Sequence, residues 1–299
     1  MLMLDQLEAA MALRDRYTRW RQSREKSAQE SIATRFCRVF ESHGVHRNQI
    51  PRFFGHGLTL EHVQDDASLL PRLEEPLLED VCERFAVRRE WLDGADNKAH
   101  PQHRFYKTPE DFSSFIKNLR EINPDGDLQG VLIAPSDARS DASALLILQE
   151  TVGWIGQTSI YRYHLCDDWM FAYWKARAYL TACVAIAWKH AVYIHGVRTV
   201  SKEIDLLIAG ETLLGWRGEG ISAIGHSKWY PEYMALRPEE FLAGLDPERN
   251  NFGVRSGLQL WLDLQRNGFM ATGLAMYEAG AVRTLFESEL AKRVQTGKG

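Results

Sequence analysis

Apolar and polar positions change their rhythm along this chain near residue 100. Up to Gly44 no proline or glycine interrupts the sequence, and Ile32, Phe36, Val39 and Phe40 recur at helical spacing with arginines between them. That pattern predicts helix over 1–44, stopped at Gly44. Short apolar clusters then predict brief helices: one around Pro51 closed by Gly55 and Gly57, one over 58–64, one over 69–73, and one over 76–85. The last carries Leu77, Leu78, Val81, Cys82 and Phe85 on one face. Residues 87–92 pack back, and Gly94 ends them.

The polar run 94–104 reads as a linker, and the texture beyond it differs. Residues 109–119 form an amphipathic helix with Thr108 at the N-cap. The apolar run 130–136 and the β-branched, aromatic-rich stretches 144–156 and 158–166 read as strands, with Gly153 and Gly156 available for the turn. A long helix is expected over 167–191, with Asp167 or Asp168 as its cap, then a strand over 192–198 and a helix over 201–210. Residues 211–235 are glycine-rich and irregular. Three helices, 237–244, 254–266 and 270–293, finish the chain. The expected class is α+β: an all-α N-terminal domain over 1–96, a linker over 97–104, and a mixed α/β domain with an antiparallel sheet over 105–299.

Composition narrows the function. The 299 residues include 45% hydrophobic and 25% charged side chains, an ordinary globular balance. No apolar run reaches the roughly 18 residues of a membrane span. Four scattered cysteines make no disulfide framework, and the first residues lack a basic stretch before an apolar core, so a cytoplasmic location is expected. The net charge of −4 conceals a division. Residues 14–52 hold ten Lys/Arg against four acids, whereas residues 53–100 hold five against eleven. A local basic surplus in a near-neutral protein is a footprint for polyanions, or a solvated helix face.

Two segments carry a resemblance. Val87, Arg88, Arg89, Trp91, Leu92 and Gly94, after a helix ending in Phe85, are similar to the last helix and tail of the XRE (lambda-repressor-like) helix-turn-helix family. Upstream, Arg47, Asn48, Gln49, Ile50 and Arg52 resemble that family's recognition-helix segment in type. The resemblance covers about a fifth of the chain. Pro51 interrupts the recognition segment, and the family's usual scanning helix is not visible before it. A second register makes 49–56 the first helix of the motif and the acidic 58–65 its reader. The resemblance implies a transcriptional regulator that binds double-stranded DNA as a homodimer. Arg47 and Arg52 would then contact phosphate or guanine, Asn48 and Gln49 would read adenine, and Arg35 and Arg38 would hold phosphates.

Catalytic signatures are absent: there is no GxxxxGK[ST], HExxH, GxSxG or EF-hand loop. No cofactor and no metal site is expected. His164 with Cys166, and His190 with His195, are the nearest approach to metal ligands, without a second pair to close a site. The second domain offers aromatic density instead. Trp154, Tyr161, Tyr163, Trp169, Tyr173 and Trp174, with Arg177, read either as core or as the wall of a small-molecule effector pocket. Tyr161 and Tyr163 share one strand face and Arg162 takes the other. Three functions remain: a DNA-binding regulator with a sensing or dimerisation domain; a small-molecule-binding protein or enzyme whose N-terminal helices mediate assembly; and a protein-interaction module.

Overall fold

A computed structural model describes residues 30–137, 139–215, 218–223, 227–245, 253–274 and 278–296. The first 29 residues of the helix expected over 1–44, with their six basic residues, lie outside the described residues. The N-terminal unit begins with α1 (Ile32–Ser42), whose N-cap Ser31 accepts a hydrogen bond from the Thr34 N–H. Its buried face, Ala33, Phe36, Val39 and Phe40, is the one the helical spacing marks. A 3-10 turn (Arg47–Gln49) leads into α2 (Ile50–Phe54), with Pro51 in the first turn where no helix bond is lost. Next come α3 (Asp66–Leu69), α4 (Glu75–Phe85) and α5 (Arg89–Leu92). Phe40 centres the core, with Phe54 and Phe85 set edge-on at 5.1 Å.

The expected helix over 58–64 does not form. Gly55, His56 and Gly57 all adopt positive φ. Thr59 and His62 then bond each other's backbone N–H groups through their side chains, which competes with helix formation. The second register of the motif therefore has no reader helix.

The α/β part contains a six-stranded sheet in the order β1-β4-β3-β2-β5-β6. The strands are β1 (Gln102–Arg104), β2 (Leu128–Pro135), β3 (Ser143–Ile155), β4 (Thr158–Met170), β5 (Ile194–Thr199) and β6 (Ser227–Trp229). The sheet is mixed rather than antiparallel. β2, β3 and β4 form an antiparallel meander, and β6 is antiparallel to β5, but β1–β4 and β2–β5 are parallel. The parallel pairs follow from connections: α6 (Pro109–Ile122) intervenes after β1, and α7 (Trp174–Lys189) carries the chain from β4 to β5.

Two sequence expectations shift here. Strand β4 runs on to Met170, so Asp167 and Asp168 belong to the strand and Tyr173 holds the cap position of α7. Thr108 stands at the cap of α6, but its side chain makes no capping bond.

One sheet face is covered by α6 and α7, with Phe112, Ile116, Leu180 and Val184 against Leu132, Leu146 and Cys166. The other face, with Val131, Ile147, Tyr163, Leu165 and Val197, meets Ile204 of α8 (Ser201–Ile208), Leu214 and Ile221. The last helices, α9 (Pro238–Leu242), α10 (Gly253–Arg266) and α11 (Ala279–Thr296), pack behind α7. Its Ala178 and Ala182 let them approach, and the Trp261 and Phe286 rings stack there at 3.5 Å.

The polar stretch read as a linker is tied into the body. Ala99 accepts from Arg88 N–H and donates to the Gly210 carbonyl, and residues 102–104 form β1. The helical unit also sits on the β3–β4 hairpin, with Ile160 in its core and Phe53 against Gly153.

Candidate ligand pocket and N-terminal polar face

Alternation along the strands places Gln129 and Val131 of β2, Gln149 of β3, Tyr161 of β4, and His195 and Val197 of β5 around one cavity of about 490 Å³. β6 pairs only with residues 196–198, so the start of β5 is an open edge. The cavity wraps that edge and reaches Trp188 at the end of α7 and Tyr193, whose rings meet edge-on at 5.0 Å. Trp229, Tyr230 and Glu232 wall the opposite side, and Glu219 and Ile221 roof it.

The roof is held by a close approach. Ile221 N–H donates to Gln149 Oε1 at 2.7 Å, and Gly220, at positive φ, passes so near that a Cβ would stand 2.5 Å from that oxygen. Trp229 donates from Nε1 to the Val197 carbonyl at 3.3 Å. Glu232 belongs to the 3-10 turn Pro231–Ala235 and is only 7% exposed. Its Oε2 is buried with no hydrogen-bond partner among the described residues, and burial raises its pKa. The cavity thus combines aromatic and aliphatic walls with a few polar groups, the usual make-up of a small-molecule site.

Of the seven residues expected to line a ligand pocket, Tyr161 is the one that lines this cavity. Trp154 stands at the hairpin tip, 54% exposed. Tyr163 is buried against the His43 ring. Trp169 is wholly buried and donates to the Cys166 carbonyl at 3.0 Å. Tyr173 and Trp174 sit at the start of α7, and Trp174 packs on the C-terminal helices. Arg177 is a buried clamp: it donates to the carbonyls of Phe171, Phe241 and Ala243 and lies 3.6 Å over the Phe171 ring. Burial without a facing carboxylate lowers its pKa to about 9. Sequence reasoning passed over Trp229, Tyr230 and Glu232. The available signal was an acid inside the aromatic run 229–233.

On the N-terminal unit most of the expected DNA-contacting cations have intramolecular work. Arg35 is buried, donates to the Trp91 carbonyl at 2.7 Å and faces the Trp91 ring. Arg38 pairs with Glu30 at 2.5 Å and stacks on the same ring. Arg47 donates to the Val63 carbonyl and to Asp66 at 2.7 Å. Gln49 closes a capping box with His46. Asn48 and Arg52 are exposed. A buried or paired guanidinium is poorly placed to hold phosphate, so the phosphate roles expected of Arg35, Arg38 and Arg47 do not fit their surroundings.

A second polar cluster lies on the α6 side of the sheet. Glu150 receives Arg162 in a fork at 2.6 and 2.7 Å, His164 at 3.0 Å and Asn123 at 2.9 Å. Burial alone would raise the Glu150 pKa; these donors outweigh it and hold it at about 2. Every group here is satisfied by another, as in a structural network. Among the described residues no group of three His, Cys, Asp or Glu side chains is placed to hold a metal ion, and no helix is long and apolar enough to cross a membrane.

No family model, no curated protein and no solved structure matches this chain. The XRE resemblance therefore rests on residues 46–57 and 77–94 alone.

Proposed function

We propose that this chain is a small-molecule-binding protein whose α/β part receives a ligand in the cavity beside β5 and whose helical unit responds to occupancy. The observation that carries the reading is the cavity itself: about 490 Å³, aromatic-walled, with polar groups converging from β2, β3, β4, β5 and the Pro231–Ala235 turn. The roof supports the response. Leu214 N–H donates to His100 Nε2, Gly215 passes against the Ser42 carbonyl, and Gly218 lies against Gly44. A few residues later the same chain reaches Ile221 over the ligand space. A shift of that roof is felt at the end of α1.

The test uses N-phenyl-1-naphthylamine, a neutral fluorophore that brightens in apolar surroundings. The expected result is one saturable site on the native chain, weakened at least tenfold by Gln129→Trp, which fills the cavity from a half-buried strand position. Unsaturable binding, or binding indifferent to both Gln129→Trp and His195→Trp, refutes the reading.

A second reading, a DNA-binding regulator, is favoured by the exposure of Asn48 and Arg52 on the segment that resembles the XRE recognition helix. It expects binding to duplex DNA that weakens steeply with salt, and a salt slope reduced by about one in Arg52→Ala. Salt-insensitive or absent binding removes it.

A further inference from the structure

The cavity beside β5 has a definite electrostatic character. Two carboxylates, Glu219 and Glu232, line it, and none of its described lining residues is lysine or arginine. Trp188, Tyr193, Trp229 and Tyr230 present rings around the same space. The negative faces of aromatic rings attract cations, and they do so most strongly where water is excluded. Trp229 already shows this behaviour toward a cation of the chain itself: the Arg198 guanidinium lies 4.8 Å from its ring centroid. Glu232 adds a buried acceptor with an unpartnered oxygen.

We infer that this cavity binds an organic cation, an ammonium head group seated between Glu232 and the rings of Trp229 and Tyr230, with its apolar body along Val131 and Val197. This deepens the ligand-binding reading and rests on it. An anion is disfavoured by the two carboxylates. A neutral ligand brings no counter-charge to the Glu232 carboxyl, whose Oε2 is buried with no hydrogen-bond partner among the described residues. Burial raises the pKa of that carboxyl, and a cation beside it reverses the penalty, so ligand charge and Glu232 ionisation reinforce each other. The other titratable groups lining the space are His195 and Glu219, both at exposed positions, and the phenols of Tyr161, Tyr193 and Tyr230.

The experiment is displacement of N-phenyl-1-naphthylamine from the full chain by three probes of similar size. These are phenyltrimethylammonium, its neutral carbon isostere tert-butylbenzene, and benzoate. The expected order places the cation at least tenfold ahead of the isostere and benzoate last. Glu232→Gln should erase the advantage of the cation over tert-butylbenzene, both read by displacement of the fluorophore from the same variant. Tyr230→Leu, at an exposed position that cannot unfold the core, should cut the advantage about threefold. Equal competition by cation and isostere, a lead for benzoate, or an advantage that survives in both variants overturns the inference while the pocket stands. Failure of the fluorophore to bind at all overturns the pocket and the inference with it.

Discussion

Replacing Glu150 by glutamine removes one charge from a buried network without changing its shape. Glu150 is 2% exposed, and its carboxylate takes the Arg162 fork, the His164 ring and the Asn123 amide. Its pKa stands at about 2 in the fold, against an ordinary value of 4.5. A lowered carboxylate pKa means that the folded state favours the ionised form. The stabilisation is complete above pH 4.5, fades as pH falls towards 2, and is gone below it. A shift of this size corresponds to about 3 kcal/mol at neutral pH. In the Glu150→Gln chain the new amide keeps one acceptor, but Arg162 is left without its counter-charge, so the loss should be of that order. The assay is urea unfolding of both chains from pH 7 down to pH 3. The difference in unfolding free energy should be about 3 kcal/mol at pH 7 and shrink steadily below pH 4.5. A difference that stays constant with pH, or one below about 0.5 kcal/mol at pH 7, refutes the charge argument.

Other outcomes follow from the same structure. Arg177→Met should cost about 3 kcal/mol in urea unfolding, because three carbonyls, those of Phe171 and Phe241 in buried bonds, lose their donor, and Arg177→Lys should rescue little since a single ammonium cannot span them. Gly153→Ala places a Cβ 2.8 Å from the Phe53 ring and should destabilise by about 1–3 kcal/mol, with Phe53→Leu in the same chain recovering most of it. His100 accepts from Leu214 N–H at Nε2 while Nδ1 faces the Ala86 carbonyl, and burial, which penalises the charged ring, lowers its pKa to about 4. A lowered histidine pKa gives stability that is complete above pH 6.5 and erodes as pH falls towards 4, at about 1.4 kcal/mol per pH unit. His100→Gln should flatten that slope in a thermal-melt series, and an unchanged slope counts against the assignment.

Much of the fold was legible where burial obeys a period. Helix α1, the α4 face of Leu77, Leu78, Val81 and Phe85, the three meander strands and α10 follow spacing that any packing must satisfy. Reading failed where a local choice depends on a distant partner. Residues 58–64 have helical composition, but Arg47 reaches across to the Val63 carbonyl and three positive-φ residues precede them. Residues 102–104 look like linker, and only pairing with β4 makes them a strand. The pocket was the least legible feature. Aromatic density pointed to Trp169 and Tyr163, which are core, because density alone does not separate rings that fill a layer from rings that border a gap. The gap is made by β6 stopping short of Ile194, a property of strand length.

The placement of the arginines bears on how the helical unit can act. Arg35 and Arg38 both rest on Trp91, the aromatic of the XRE-like tail, and Arg47 is bound to Asp66, which Thr34 and Ser31 also approach. Three of the four arginines in the described part of this segment thus brace the unit around α1, α3 and α5, while Arg52 is exposed. The other end of α1 meets the α/β part: the His43 ring lies 5.7 Å from that of Tyr163, and Gly215 and Gly218 pack on residues 42–44. This unit is braced internally by its own cations and meets the sheet both through the end of α1 and through Ile160 and Gly153 of the hairpin. On the proposed coupling, a ligand that displaces the 218–221 roof is expected to shift the unit as a body instead of unfolding it. A cation-filled cavity should therefore alter amide exchange at residues 42–45 and leave the Arg35–Trp91 contacts unchanged. Exchange that changes inside α1 and α5, with 42–45 silent, excludes this route of coupling.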